Sequence, residues 1–101
     1  MSDTSSNSSI TIVADGDIDA ETSPLLTQRI ADAIDAGAVE IIIDASAVTF
    51  MSSAGLSSLI GGHRDAPSFR LLPGNRTVDH LITLTGLERL YGNETSGGTT
   101  S

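Results

Sequence analysis

Val39-Glu40-Ile41-Ile42-Ile43-Asp44-Ala45-Ser46-Ala47-Val48-Thr49-Phe50-Met51-Ser52-Ser53-Ala54-Gly55-Leu56 sets a strand and a helix start close together. The β-branched run Val39–Ile43 is interrupted only by Glu40, which predicts a central strand covered on both faces, as in parallel or mixed sheets. Asp44 closes that strand. Ala45 to Thr49 reads as a short connection, with Val48 and Phe50 flanking polar Thr49 in a brief extended approach. Ser52 and Ser53 then precede Leu56, Leu59 and Ile60, a helical stripe. Hydroxyls at this point satisfy the unpaired N–H groups of a helix start. Gly61-Gly62 weakens the far end of that helix, which is expected to stop before Pro67.

Upstream, Ile10-Thr11-Ile12-Val13 is β-branched throughout and predicts a strand ending at the turn signal Asp15-Gly16-Asp17. Ser23-Pro24 opens a helix, with Ser23 as N-cap and Pro24 at the first helical position. Leu26, Ile30, Ala33, Ile34 and Gly37 share one face of it, and Gly37 is a natural C-cap. Downstream, Phe69-Arg70-Leu71-Leu72 predicts a third strand and Pro73-Gly74 a turn. Asn75 caps a helix holding Val78, Leu81, Ile82 and Thr85, stopped by Gly86. Leu87 to Tyr91 adds an apolar turn that packs back on the core. The order β-α-β-α-β-α implies mostly parallel strands joined by right-handed crossovers. Residues 1–9 and 93–101 carry too little apolar area to offset their ordering entropy and are expected to be disordered tails around a domain of residues 10–92.

Composition narrows the functions. The chain has 101 residues, enough for one domain. Its net charge of -8, from 13 acidic and 5 basic residues, repels phosphate backbones and anionic membranes and suits a partner with a basic face. All the basic residues are Arg, so Schiff-base chemistry and a phosphate-loop lysine are excluded. Phe50, Phe69 and Tyr91 are too few for a nucleic-acid stacking surface. The absence of Cys removes disulfides and thiolate chemistry. No apolar run approaches a membrane span and no leader pattern opens the chain, so a cytoplasmic setting is expected. Asp15, Asp17, Asp19 and Glu21 alternate, but Gly16 falls inside the spacing that a calcium loop needs. They read as a solvated turn or as an acidic contact patch. His63 and His80 lie on different helices without metal-ligand spacing, one expected at a helix end and the other on a solvent face. A serine hydrolase at Ser52 or Ser53 would need a base in reach, and His63 is about 15 Å further along the helix. No catalytic residue, metal or cofactor is expected.

The helix start at Ser52-Ser53 tolerates a phosphate well, because free N–H groups and the helix dipole favour negative charge. A phosphoryl group there adds about -1.5 to -2 charge without unfolding the domain.

The ordered motifs resemble the STAS family, the fold of bacterial anti-sigma factor antagonists. The family's glycine-acid-hydrophobic-Asp turn is matched by Gly16-Asp17-Ile18-Asp19, and its Ser/Thr-Pro helix start by Ser23-Pro24. Ile42-Ile43-Asp44-Ala45-Ser46 matches the central strand. Val48-Thr49-Phe50-Met51-Ser52-Ser53-Ala54-Gly55-Leu56 matches the junction, and Ile82-Thr83-Leu84-Thr85-Gly86-Leu87 the C-terminal helix. The resemblance implies a small α/β sheet of about four strands, mostly parallel or mixed, with helices packed on it. It implies a non-enzymatic protein, a monomer or weak dimer, that binds a serine-kinase-type anti-sigma factor and frees a sigma factor, with a serine phosphatase as resetting partner. The implied contact surface is Asp17, Asp19, Met51, Ser52, Ser53, Gly55, Leu56 and Ser57, with Met51, Leu56 and Ser57 at its exposed edges. Three departures stand out. Ser52 replaces the family's Asp. Ala54 replaces the usual phosphoacceptor, which leaves Ser53 and then Ser52 as candidates. The family's first strand has no counterpart before Ile10. The alternative role implied is a STAS interaction module that is never phosphorylated, a subunit of a transport or signalling complex.

Overall fold

The computed structural model describes residues 9–92. The two expected tails lie outside these residues, except that Ser9 already belongs to the first strand. The elements are β1 (Ser9–Ile18), α1 (Ser23–Asp35), β2 (Glu40–Met51), α2 (Ser53–Asp65), β3 (Phe69–Leu71) and α3 (Arg76–Thr85), followed by a 3₁₀ turn at Glu88–Tyr91. Among the described residues the sheet has three strands in the order β1-β2-β3, all parallel. The α/β order and parallel sheet are as expected, with one strand fewer than the family pattern implies.

Alternate residues of the sheet meet the core. Ile12, Ile41, Ile43, Phe69 and Leu71 are buried, together with Leu26, Ile30 and Ala33 of α1 and Leu56 and Leu59 of α2. No described element covers the opposite face. Thr11, Val13 and Arg70 are exposed there, and Arg70 reaches Glu40 at 3.4 Å. This corrects the expectation of a central strand buried on both sides. The Ile42 side chain is only half-buried, and the long apolar run reflects β-branched strand preference on an open face.

The largest departure lies between residues 44 and 51. The expected connection Ala45–Thr49 is strand, and the expected turn at Asp15-Gly16-Asp17 is also strand. The two stretches pair with each other. Val13 lies opposite Asp44 and Ile18 opposite Met51, so five steps along β1 match seven along β2. The two extra residues enter at two register shifts, the signature of β-bulges. Gly16 sits at a shift with φ 69, a conformation that glycine adopts without cost. On its other side β2 runs on past the end of β3 at Leu71, and there Asn75 from the start of α3 takes its carbonyls. Its Nδ2 donates to the Ala45 carbonyl at 2.7 Å and to the Val48 carbonyl at 2.8 Å. Its Oδ1 meanwhile accepts from the Thr77 and Val78 N–H groups as the expected N-cap.

The remaining helix ends follow their sequence signals with one change. Pro24 lies in the first turn of α1, but the N-cap is Thr22 rather than Ser23. Gly37 follows the C-cap of α1, and Gly86 caps α3 in the left-handed conformation. The apolar turn folds back as expected, with Leu90 fully buried.

α2 runs through both of its glycines to Asp65. Gly62 is a packing requirement: a Cβ there would lie 2.8 Å from the Phe69 ring and 3.1 Å from Ile30 Cγ2. Gly61 next to it faces open space, its nearest atom 4.0 Å away. The two glycines therefore respond oppositely to alanine. Gly61→Ala is expected to stabilise the domain by about 0.5–1 kcal/mol through helix propensity. Gly62→Ala is expected to destabilise it by about 1–3 kcal/mol through overpacking. Urea denaturation of the two variants measures both signs.

Candidate functional site

The junction is built where β1 and β2 end together. The Ser52 N–H donates to the Ile18 carbonyl at 2.8 Å, which closes the ladder and places the next residue at the first position of α2. Ser52 remains extended, with ψ 179, and its Oγ accepts from the Ala54 N–H at 3.2 Å. Ser52 is thus the N-cap. Ser and Asp cap helices about equally well, so Ser52 keeps the fold where the family's Asp would stand and omits only its charge. Ser53 is exposed, and its hydroxyl bonds to no described residue.

Gly55 makes the joint close. A Cβ at this position would fall 2.7 Å from Met51 Cγ and 2.8 Å from Ile18 Cγ2. The first turn of α2 therefore lies directly on the ends of both strands. Met51 and Leu56 are 5% and 6% exposed. That corrects their expected place at the exposed edges of a contact surface: both are core residues that fix the helix from below. Ser57 is exposed as expected.

The acidic turn divides into two roles. Asp19 Oδ1 accepts from the Glu21 N–H at 2.9 Å and the Thr22 N–H at 3.1 Å, and the Thr22 hydroxyl donates to the Asp17 carbonyl at 2.7 Å. These bonds turn the chain into α1 and explain why Thr22 cannot cap the helix with its side chain. Bonds from the Thr22 and Glu21 amides hold the Asp19 carboxyl below the usual carboxylate range. Asp17 is exposed, pairs across the ladder with Phe50, and accepts from the Thr49 hydroxyl at 2.8 Å. Asp17 is therefore the carboxylate presented at the junction, and Asp19 the one that builds the turn behind it.

The sequence places Phe50 in the junction but does not show its exposure, and it does not single out Ser58. Phe50 is 50% exposed beside Asp17, an aromatic surface at the edge of the junction. Ser58, one turn into α2, is buried; its Oγ lies 2.6 Å from Thr27 Oγ1 and donates to the Ser23 carbonyl at 3.2 Å, joining α2 to α1. Its signal was position, because Ser58 falls on the same helix face as Gly55 and Gly62. Small residues on both helices leave a groove of about 820 Å³ between them, lined by Thr27, Ala31, Ala54, Ser57 and Gly61. The groove reaches Ala54, the residue after Ser53.

The expected alternatives gain nothing from the geometry. His63 meets the Phe69 ring edge-on at 5.9 Å between centroids, and His80 is exposed on α3. No group of three potential metal ligands occurs among the described residues, and no helix among them is long and apolar enough to cross a membrane.

A STAS domain model matches residues 2–96. The chain belongs to the STAS family. Among solved structures, an anti-sigma factor antagonist from Mycobacterium paratuberculosis is 27% identical with a TM-score of 0.77, covering 84% of this chain and 75% of that one. The unphosphorylated anti-sigma factor antagonist SpoIIAA superposes with a TM-score of 0.63 at 22% identity, over 77% of this chain and 76% of that one. The phosphorylated form of SpoIIAA, a Bacillus cell fate determinant, gives 0.63 at 20%, over 94% and 93%. At those identities the SpoIIAA matches establish the fold alone. No curated protein matches the sequence. The structural neighbours of this STAS domain are thus anti-sigma factor antagonists.

Two outcomes follow from the site. Ser52→Ala is expected to cost about 1 kcal/mol by loss of the cap, and Ser53→Ala less than about 0.5 kcal/mol, in thermal or urea unfolding. The lowered Asp19 pKa gives stability that is complete above the unfolded carboxyl value of about 3.9 and is lost as pH falls through the folded value. Unfolding free energies measured from pH 7 down to pH 2, both in steps of about one unit, should therefore fall less steeply for Asp19→Asn than for wild type.

Proposed function

We propose that this STAS domain is an anti-sigma factor antagonist. It binds a serine-kinase-type anti-sigma factor in the cytoplasm through the start of α2, and so releases the sigma factor that the kinase holds. The contact surface centres on Ser53 and Ser57, with Ser52 and Gly55 at its floor and Asp17 and Phe50 beside it. Met51, Leu56 and Asp19 support it from behind. The acidic balance of the chain fits a basic face on the partner.

Phosphorylation of Ser53 turns the contact off, and a serine phosphatase restores it. The observation that carries this reading is the division of labour between the two serines. Ser52 is spent on capping, whereas the Ser53 hydroxyl is exposed at the first helical position and bonds to no described residue. A phosphate there gains from the helix dipole while adding charge next to Asp17 in the middle of the contact.

Ala54 favours a second reading. It stands at the family's usual phosphoacceptor position and lines the groove between α1 and α2. In that reading the domain is a STAS interaction module without covalent control. Intact-mass spectrometry of protein isolated from its own cells separates the two, since a phosphorylated fraction mapped to Ser53 or Ser52 supports only the first.

Calorimetric titration with the cognate anti-sigma factor tests the switch. Ser53→Ala should bind like wild type. Ser53→Asp should bind at least tenfold more weakly, a loss of about 1.4 kcal/mol, with an unchanged circular-dichroism spectrum. Equal binding by both variants would remove Ser53 from the mechanism.

A further inference from the structure

The outer edge of β1 takes no part in the junction. Among the described residues β2 is the only strand paired with β1. In a parallel ladder each residue turns both backbone groups to one side, alternately. Ile41 donates to the Ser68 carbonyl and Ile43 accepts from the Leu72 N–H, so both face β3 and Ile42 faces β1. Ile10 and Ile12 therefore point their backbone groups inward, and Ser9, Thr11 and Val13 point theirs out. The bond from Arg29 Nη1 to the Val13 carbonyl, 2.9 Å, agrees with this assignment. Sheet edges are usually blunted by charge, proline or bulges. Ser9–Val13 has no charge and no proline, and its register is regular throughout; the shifts begin only beyond Val13.

A groove of about 700 Å³ runs along this edge beneath α1. Ile10, Ile12, Ala33 and Ala36 line it, with Arg29 and Asp32 at the rim. Leu25, Arg29, Asp32 and Ala36 follow one another at helical spacing, so a single stripe of α1 overlooks the edge. Leu25 on that stripe is 63% exposed.

We propose that β1 pairs antiparallel with β1 of a second copy of this chain, about a two-fold axis at Thr11. Thr11 then faces Thr11, and Ser9 faces Val13; the outward groups of Ser9 and Thr11 and the Val13 N–H gain partners, while the Val13 carbonyl, already held by Arg29, accepts a second bond. On the core side Ile10 lies opposite the second copy's Ile12, and the two isoleucines of each copy occupy the groove of the other. The two α1 helices come to lie antiparallel about 10 Å apart, the ordinary spacing of packed helices. The stripe is self-complementary under that operation. An axis midway between Arg29 and Asp32 sets Arg29 against the second copy's Asp32, and Leu25 against its Ala36, twice each. This local charge match allows a chain with net charge -8 to meet itself at this face. Both junctions stay exposed at opposite ends of the joined sheet.

Sedimentation velocity on the full chain, from about 10 µM to about 1 mM, tests the pairing. Wild type should show a reversible monomer–dimer equilibrium. Thr11→Pro removes an outward N–H but no bond to β2, and should weaken association at least tenfold with an unchanged circular-dichroism spectrum. Arg29→Asp should weaken it similarly, and the double exchange Arg29→Asp with Asp32→Arg should restore it. A chain lacking residues 1–8 should associate like wild type. A wild type that stays monomeric throughout overturns the proposal, as does a Thr11→Pro variant that dimerises equally. Dimerisation only after removal of residues 1–8 also overturns it, because that segment would then be the occupant of the edge.

Discussion

The hydrogen bond from the Ser52 N–H to the Ile18 carbonyl, 2.8 Å long, fixes the point at which two strands stop and a helix begins. The features of the junction depend on that point. It makes Ser52 the cap and gives Ser53 the first helical position, with its side chain directed to solvent. It also brings the backbone at residue 55 so near Ile18 and Met51 that only glycine fits. A helix start displaced by one residue would set a side chain against both strand ends and turn Ser53 into the cap. The exposed hydroxyl is thus a consequence of strand register.

That register is held from a distance. β1 and β2 reach their common end only because β2 takes up two extra residues on the way. On the side where β3 has already ended, the carbonyls of this stretch are collected by one amide, Asn75, which also caps α3. One half-buried side chain thereby joins the far half of β2 to the start of α3. Leaving such carbonyls unpaired would cost about 1–3 kcal/mol each. Asp44 helps locally, accepting from the Ser46 N–H at 3.0 Å. Bonds from Ser46 hold the Asp44 carboxyl below its usual range.

Much of this was legible in the residues. Pro24, Asn75, Gly37 and Gly86 mark helix ends that the structure keeps, because turn and cap chemistry is local. The ordered STAS motifs located the junction correctly. The part that was not legible is non-local. Asp44 to Thr49 looks like a loop because its apolar residues lose alternation, yet two single-residue shifts explain the loss: Val48 turns inward between them, and Met51 returns to the inward set of Ile41 and Ile43. Without the partner strand in view, neither Met51 nor the buried state of Leu56 can be inferred from alternation. The serines divided for the same reason. Sequence shows two hydroxyls at a helix start, and only the ladder's endpoint decides which one caps. Ser58, and the exposure of Phe50, were not legible because a buried Ser and an exposed Phe both invert the usual residue preference.

Gly55 and Gly62 seat α2 flush at both ends, against the strand tips at one and against Phe69 and Ile30 at the other. A helix held this closely has little freedom left to lose when something docks on its first turn. The ordering entropy that weakens recognition by mobile segments is already spent in folding. The free surface is therefore preorganised, and any partner docking there would meet it nearly as a rigid body. On such a surface a change in charge would alter the field that a partner meets and leave the shape presented the same.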